Sequence, residues 1–441
     1  MRTRSLIAQT ALAAVFGSAA LIGGTAVPAA ADSSTALPST SYRDIVVDDV
    51  HDHVFISDPD GSSVVVTDYA GQVVKQITSE NGAAGLAVSA DSSTVYVALP
   101  SADAISEIDT STLAETDRYQ TGAGTSPRNL ALADGKIWFG YAADGRGGIG
   151  SLELSGADPV VTLGQSADWY YAPTLASSPA DPNVLVAGQQ GLSPATLAVY
   201  EVSSSGLQQR VKRTFYDSPV MSNLNDFAVT PDGQDIVAAF GAPYRHQVLS
   251  ATDLSVKGSY PTDAYPNGVA IAADGTVAAG GDGSQVYVFR SGASTPLRTY
   301  SPGSQLPAGL AWAPDDNRLF SVTGDYLGGH PTLHVLVDAG KAESSLTLQA
   351  PSTAVKNKEL TVTGTLSAND PFASGTTVKV TRTDAKSPGG VSIGRAAVAA
   401  DGSFQFTDQL HVVGQVTYTV RYLGDDRHTA ATAQATVEVT K

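Results

Sequence analysis

The sequence predicts an all-β protein, a seven-bladed β-propeller followed by a second, two-sheet β-sandwich. Three observations predict it. A phrase of apolar strand, polar turn and apolar strand returns seven times at nearly constant intervals. A different run of alternating strands follows Gly340. Helical periodicity is almost absent.

Residues 1–31 precede the fold. Arg2 and Arg4 form a short positive region, "LIAQTALAAVFGSAALIGGTAV" is apolar, and "PAAAD" supplies a small-residue cleavage site. A signal peptide cleaved after Ala31 is expected, and with it export. An uncleaved anchor is the alternative, because the apolar run is almost long enough to span; its Gly and Ser content and Ala-x-Ala end favour cleavage. No later segment is apolar enough to cross a bilayer. The 441 residues carry a formal charge of −17, and losing the two arginines of the first 31 residues leaves a still more acidic chain. That argues against nucleic acid and anionic membranes as partners. There is no cysteine, so disulfides, thiolate metal sites and a cysteine nucleophile are excluded. Cohesion must come from cores, for which a chain of this length suffices.

The repeat starts at Asp44 ("DIVVDD"), Gly85 ("GLAVSA"), Asn129 ("NLALAD"), Thr174 ("TLASSP"), Asp226 ("DFAVTP"), Gly268 ("GVAIAA") and Gly309 ("GLAWAP"). The intervals are 41, 44, 45, 52, 42 and 41 residues. Each first strand leads through a turn to a second, such as "TVYVAL" or "DIVAAF", then to a third, such as "AISEID", and to a closing fourth, such as "AETDRY". Four short strands per unit of this length make one propeller blade. Seven blades, within 32–341, close a ring without exposed edges. The last copy runs out after "TLHVLVDAG", so the segment near 34–42 is expected to supply its fourth strand. In detail, "VYVALPSADAISEIDTSTLAETDRYQTGAGTSPRNLAL" (95–132) resembles the YVTN-type repeat family. The match is good in copies two and three, partial in one, five and six, and poorest in copy four. The resemblance implies the propeller fold and says little of function.

After the linker "DAGKAESS" (338–345), residues 342–441 read as seven alternating strands, from "SSLTLQA" to "TAQATVEVT". That count suits an immunoglobulin-like sandwich. "LTVTGTL", "DGSFQF" and "YTVRYLGDDRHTAATA", with Tyr422, Gly424 and Asp425 in a Y-x-G-D pattern, resemble the bacterial Ig-like repeat domain family. The resemblance implies a stalk or adhesion module.

In a propeller, the loops from fourth to next first strand and from second to third strand share one face, where ligand sites gather. On this basis Arg128, Asn129, Trp169, Tyr170, Asn225, Asp226, Tyr265 and Asn267 are expected to ring the channel mouth, with Tyr244, Arg245, His246, Tyr326 and His330 farther out. Aromatic rings with an arginine and amides suit a sugar or peptide ligand. The competing readings are that Trp169 and the tyrosines pack between blades, and that Arg128 and Asp226 form a structural ion pair. "HDH" (51–53) and "DPDG" (58–61) look like metal motifs but read as polar turns, since the first has two neighbouring ligands and the second lacks a glutamate at the twelfth position. "RVKR" (210–213) reads as an exposed outer strand.

The functional expectation is a secreted or cell-wall-associated binding protein that is not catalytic. Its loop-rich face would take an extracellular glycan, a cell-wall polymer or a protein, with the second domain as spacer and no cofactor or metal. One alternative is a lactonase-type propeller hydrolase or lyase, using His246, His330 and Asp226 or Asp325 as base and orienting groups, with or without a divalent ion. Another is a scaffold for an extracellular complex.

Overall fold

The computed structural model describes residues 32–178, 181–217, 219–262, 264–325 and 329–441, so the expected signal peptide and Tyr326 lie outside the described residues. The repeated phrases fall on the two innermost strands of seven four-stranded antiparallel sheets. Sheet 1 contains Ile45–Asp48, His53–Asp58, Ser63–Asp68 and Val73–Thr78; sheet 2 contains Leu86–Val88, Thr94–Leu99, Ala104–Asp109 and Ala114–Gln120. Sheet 3 is Asn129–Ala133, Lys136–Ala143, Arg146–Glu153 and Val160–Trp169; sheet 4 is Thr174–Ser177, Val184–Gln189, Thr196–Ser203 and Gly206–Thr214. Sheet 5 is Ser222–Val229, Asp235–Ala242, Arg245–Ser250 and Val256–Tyr260; sheet 6 is Pro266–Ile271, Val277–Gly281, Val286–Phe289 and Arg298–Tyr300. Sheet 7 takes Gln305–Trp312, Arg318–Thr323 and Thr332–Val337 from the end of the repeats and Ser33–Ala36 from the start of the chain.

The first strands touch one another in order round the ring, and that of sheet 7 touches that of sheet 1. This is the β-propeller arrangement. Second and third strands are buried on both faces, so they read as nearly unbroken apolar runs. Cores form between sheets rather than within them: Val54, Ile56 and Val65 of sheet 1 pack on Phe320, Val322 and Leu333 of sheet 7. The closing strand pairs Ser33 with Val335 and Ala36 with Thr332, which covers an edge that would otherwise face solvent. The chain then turns into sheet 1 at Asp58. This buried carboxylate accepts hydrogen bonds from the backbone N–H groups of Thr40 (3.1 Å) and Ser41 (2.9 Å) and from both hydroxyls (3.1 and 3.0 Å). The "DPDG" turn thus spends its first aspartate on holding the N-terminal segment.

Residues beyond the ring form a separate two-layer unit. Ser345–Gln349, Glu359–Ser367 and Ser403–Gln409 make one sheet. Thr353–Val355, Ala431–Thr440, Gly414–Tyr422, Thr377–Asp384 and Ser387–Ala397 make the other. Glu359–Ser367 alternates exposed and buried along its length, as a strand with one wet face must. Its inward side packs Val362 on Phe404, Val380, Tyr418 and Val437. Tyr422 donates to Asp425 (2.8 Å), and Asp425 also holds His428 Nδ1 (2.9 Å). The junction is stitched at Ala342. Its side chain lies in a cluster with Trp312, Leu319 and Leu336 of sheet 7, while its N–H donates to Arg427 O (2.7 Å) and its carbonyl accepts from Thr429 N (2.9 Å).

Candidate functional site

Each first strand begins at the same end of the ring, so the residues there converge on the channel mouth. Arg43, Asp44, Asn129, Gln190 and Asp226 line a cavity of about 190 Å³ at this end, closed by Ile45, Leu86, Leu175, Phe227 and Leu310. Arg43 comes from the start of sheet 1 and reaches across to sheets 3 and 4. Its Nη2 donates to Asn129 Oδ1 (2.9 Å) and to Gln190 Oε1 (3.1 Å). The amides continue the ring: Gln190 Nε2 donates to Asn225 O (2.7 Å), Asn225 Nδ2 to Pro266 O (2.6 Å), and Asn267 Nδ2 to Gln305 O (2.8 Å). Tyr42 donates its hydroxyl to Ala308 O (2.6 Å).

Two aspartates do the same job at two places. Asp44 accepts from Ile45 N (2.9 Å) and from Leu86 N of sheet 2 (2.8 Å). Asp226 accepts from Phe227 N and from Val269 N of sheet 6, both at 2.8 Å. Each pins one first strand to the next. Burial raises Asp44 to a pKa of about 6 and Asp226 to about 7, against the lowering effect of these N–H groups and of Arg43. Neither forms an ion pair with Arg128, which is exposed at the same end outside this hydrogen-bonded ring.

The structure brings Asn129, Asn225, Asp226 and Asn267 together. It does not bring Trp169 to them. Trp169 ends the outermost strand of sheet 3 and is buried against Trp138, Ile149 and Tyr200 between sheets 3 and 4, with the Lys212 ammonium 4.3 Å from its ring centre. A fourth strand lies farthest from the channel, so its last side chain packs at the periphery. Tyr265 is half-buried and meets Tyr244 edge-on, centroids 5.7 Å apart. Gly241 has no side chain because Tyr265 occupies that space. Within "RVKR", Lys212 donates to Asp168 O on the outer strand of sheet 3 (2.7 Å), and Arg213 pairs locally with Asp217 (2.6 Å).

The residues considered for catalysis are spread out. His246 is fully buried in sheet 5, with Nε2 on Gly268 O (3.1 Å) and Nδ1 on Thr262 Oγ1 (3.2 Å). Burial lowers its pKa to about 4, so it stays neutral and acts as a tie between sheets 5 and 6. His330 is exposed beside Asp325 (3.2 Å). Among the described residues no hydrogen bond joins His246, His330 and Asp226. The "HDH" turn is held by buried Asp48, which binds His51 Nδ1 (2.9 Å) and caps Val50 N (2.9 Å). Among the described residues no three His, Asp or Glu groups come together as metal ligands, and no helix is long and apolar enough to cross a membrane.

The sequence reading missed Arg43, Asp44 and Gln190 at the mouth. Of the exposed loop aromatics it named Tyr170 and Tyr244 and missed Tyr171 and Tyr216. Tyr170, Tyr171, Tyr216 and Tyr244 are 76, 63, 74 and 59% exposed, and they stand on loops of sheets 3 to 5 at the same end of the ring as the mouth, outside the cavity lining. Among the described residues, these are the exposed aromatic side chains. The opposite end has a different character, a cleft of about 620 Å³ under sheets 2 to 4 walled by Val88, Tyr96, Leu132, Ile137 and Leu154.

No protein-family model matches the chain, and no curated protein matches it. Solved structures do. Kuenenia stuttgartiensis hydrazine synthase is 17% identical, with a TM-score of 0.54 over 68% of this chain and 96% of that one. The Myceliophteria thermophila Cps50 (Swd1) β-propeller domain is 13% identical, with a TM-score of 0.52 over 69% of this chain and 99% of that one. The chain has a β-propeller fold. At these identities the likeness extends to fold alone.

Proposed function

We propose that this is a non-catalytic binding protein that takes its partner on the loop face around the channel mouth. The observation that carries the reading is the set of exposed tyrosines at that end. An exposed aromatic ring is costly to leave in water and offers a flat apolar surface with a polar tip, suited to sugar rings or a protein surface. The candidate catalytic groups support binding over chemistry, since both polar atoms of His246 and of Asp226 are already hydrogen-bonded, one of each across to sheet 6. We read the ring as a seven-bladed propeller of the YVTN type and the C-terminal unit as an Ig-like spacer. We also read the protein as exported, with an envelope glycan or extracellular polymer as its partner. The test is co-sedimentation of residues 32–441 with insoluble cell wall and polysaccharides. The wild type is expected to pellet, and Tyr170→Ala/Tyr171→Ala/Tyr244→Ala to lose at least tenfold in affinity with an unchanged melting temperature. Equal pelleting of the two would refute the tyrosine surface.

A further inference from the structure

Beyond the tyrosine face, Arg43 is left unusually placed. Only its Nη2 has partners, and both are neutral amide oxygens. No carboxylate lies within ion-pair distance of it, and Nε and Nη1 donate to no group among the described residues. A half-buried guanidinium stripped of part of its water and with no carboxylate in contact keeps donors free for one. The carboxylates of Asp44 and Asp226 attract it across the mouth without touching it, their oxygens being held by backbone N–H groups. Beside the guanidinium lies the mouth cavity of about 190 Å³, below the roughly 300 Å³ of a drug-sized pocket. Among the residues that line it, Thr174 Oγ1 is buried and has no hydrogen-bond partner among the described residues. The vacant valences are therefore donors at Arg43 and a hydroxyl at Thr174.

We propose that the channel mouth is a site for a small carboxylate-bearing ligand of single-sugar size, a uronic acid, with its carboxylate on the free edge of Arg43 and a hydroxyl on Thr174. A guanidinium edge matches a carboxylate with two parallel N–H···O bonds. The site is separate from the tyrosines and does not depend on them. It also has a built-in pH dependence. The charged or titratable groups facing Arg43 are Asp44 on its own strand, Asp226 from sheet 5 and Tyr42, whose hydroxyl stays protonated in this range. As pH falls through about 7 and about 6 the two carboxyls take up protons, the mouth becomes positive, and anion affinity rises.

The test is calorimetric titration of residues 32–441 with D-glucuronate, D-glucose and acetate at pH 5.5 and pH 8. Glucuronate is expected to bind at pH 5.5, at least tenfold more tightly than glucose, and to weaken at least tenfold at pH 8. Arg43→Gln should lose at least tenfold at pH 5.5. If that variant unfolds, the wild-type pH series still decides. Acetate binding as tightly as glucuronate would support the carboxylate contact and overturn the hydroxyl contact. Glucose binding as well as glucuronate, no glucuronate binding at pH 5.5, or affinity that is flat or rises toward pH 8 would overturn the site.

Discussion

At the scale of single residues, polar groups buried between sheets do structural work, and their protonation shows it. His246 is neutral because burial depresses its pKa to about 4. The stability it adds is present above the ordinary histidine value and is lost as pH falls through about 4. His246→Ala should therefore cost about 2–4 kcal/mol at pH 7 in urea unfolding, from the lost volume and an orphaned Gly268 carbonyl, and the gap to wild type should narrow below pH 5. Asp226 has the opposite sign. Its folded-state pKa, about 7, is raised, so its favourable contribution is complete below about pH 4 and is lost as pH rises through about 7. The difference in melting temperature between wild type and Asp226→Asn should shrink steadily between pH 4 and pH 8; a constant difference would mean the carboxyl is not desolvated. These residues also mark what the sequence could say. Asn129, Asn225, Asp226 and Asn267 were readable because the repeat period places the start of every first strand at the mouth. Arg43 stands one residue before its repeated phrase, as do Arg128, Asn225 and Asn267, so the same signal was present and unused. Gln190 was not readable, since it lies past a second strand in the longest and least regular repeat. Trp169 stood between two readings, channel mouth or packing between blades, because the period fixes where a strand ends but not which neighbour its last side chain meets; it packs between blades.

At the scale of elements, the ring depends on a strand from the other end of the sequence. Ser33–Ala36 pairs along Thr332–Val337, and Leu37 enters the core of sheets 1 and 7. Alternation of small polar residues in "SSTA" is too short a pattern to announce a strand, whereas the missing fourth strand of the last repeat did announce that one was needed. Removing residues 32–37 should lower the melting temperature and promote self-association through the bared edge of Thr332–Val337, read by sedimentation velocity. An unchanged melting temperature would mean that sheet 7 is complete with three strands. Asp58→Ala tests the same tether without shortening the chain. It removes the acceptor for four N–H and O–H groups of Thr40 and Ser41, and a loss of about 2–4 kcal/mol is expected from chemical denaturation.

At the scale of the whole molecule, the question is whether the C-terminal unit swings or is held. A short linker alone limits reach without fixing direction. Ala342 does more, because it belongs to both bodies: its methyl group is in the core under sheet 7, and its backbone pairs with Arg427 and Thr429. Asp370 of the C-terminal unit reinforces the seam. It is buried under a two-pronged pair with Arg427 (2.9 and 2.7 Å), and Arg290 of sheet 6 approaches it at 3.5 Å. The buried apolar contact should dominate, since the outer ion pairs are partly solvated. Ala342→Glu cannot keep its side chain among Trp312, Leu319 and Leu336 without burying a charge, so the joint must open. Small-angle scattering should then show a longer maximum dimension, while Asp370→Ala should shift it less. Identical scattering from wild type and Ala342→Glu would mean the seam carries no load. The outcome bears directly on the binding reading. A held unit sets the loop face at a constant distance and direction from whatever the C-terminal end attaches to, whereas a swinging one would let the same face search a volume and bind by effective concentration.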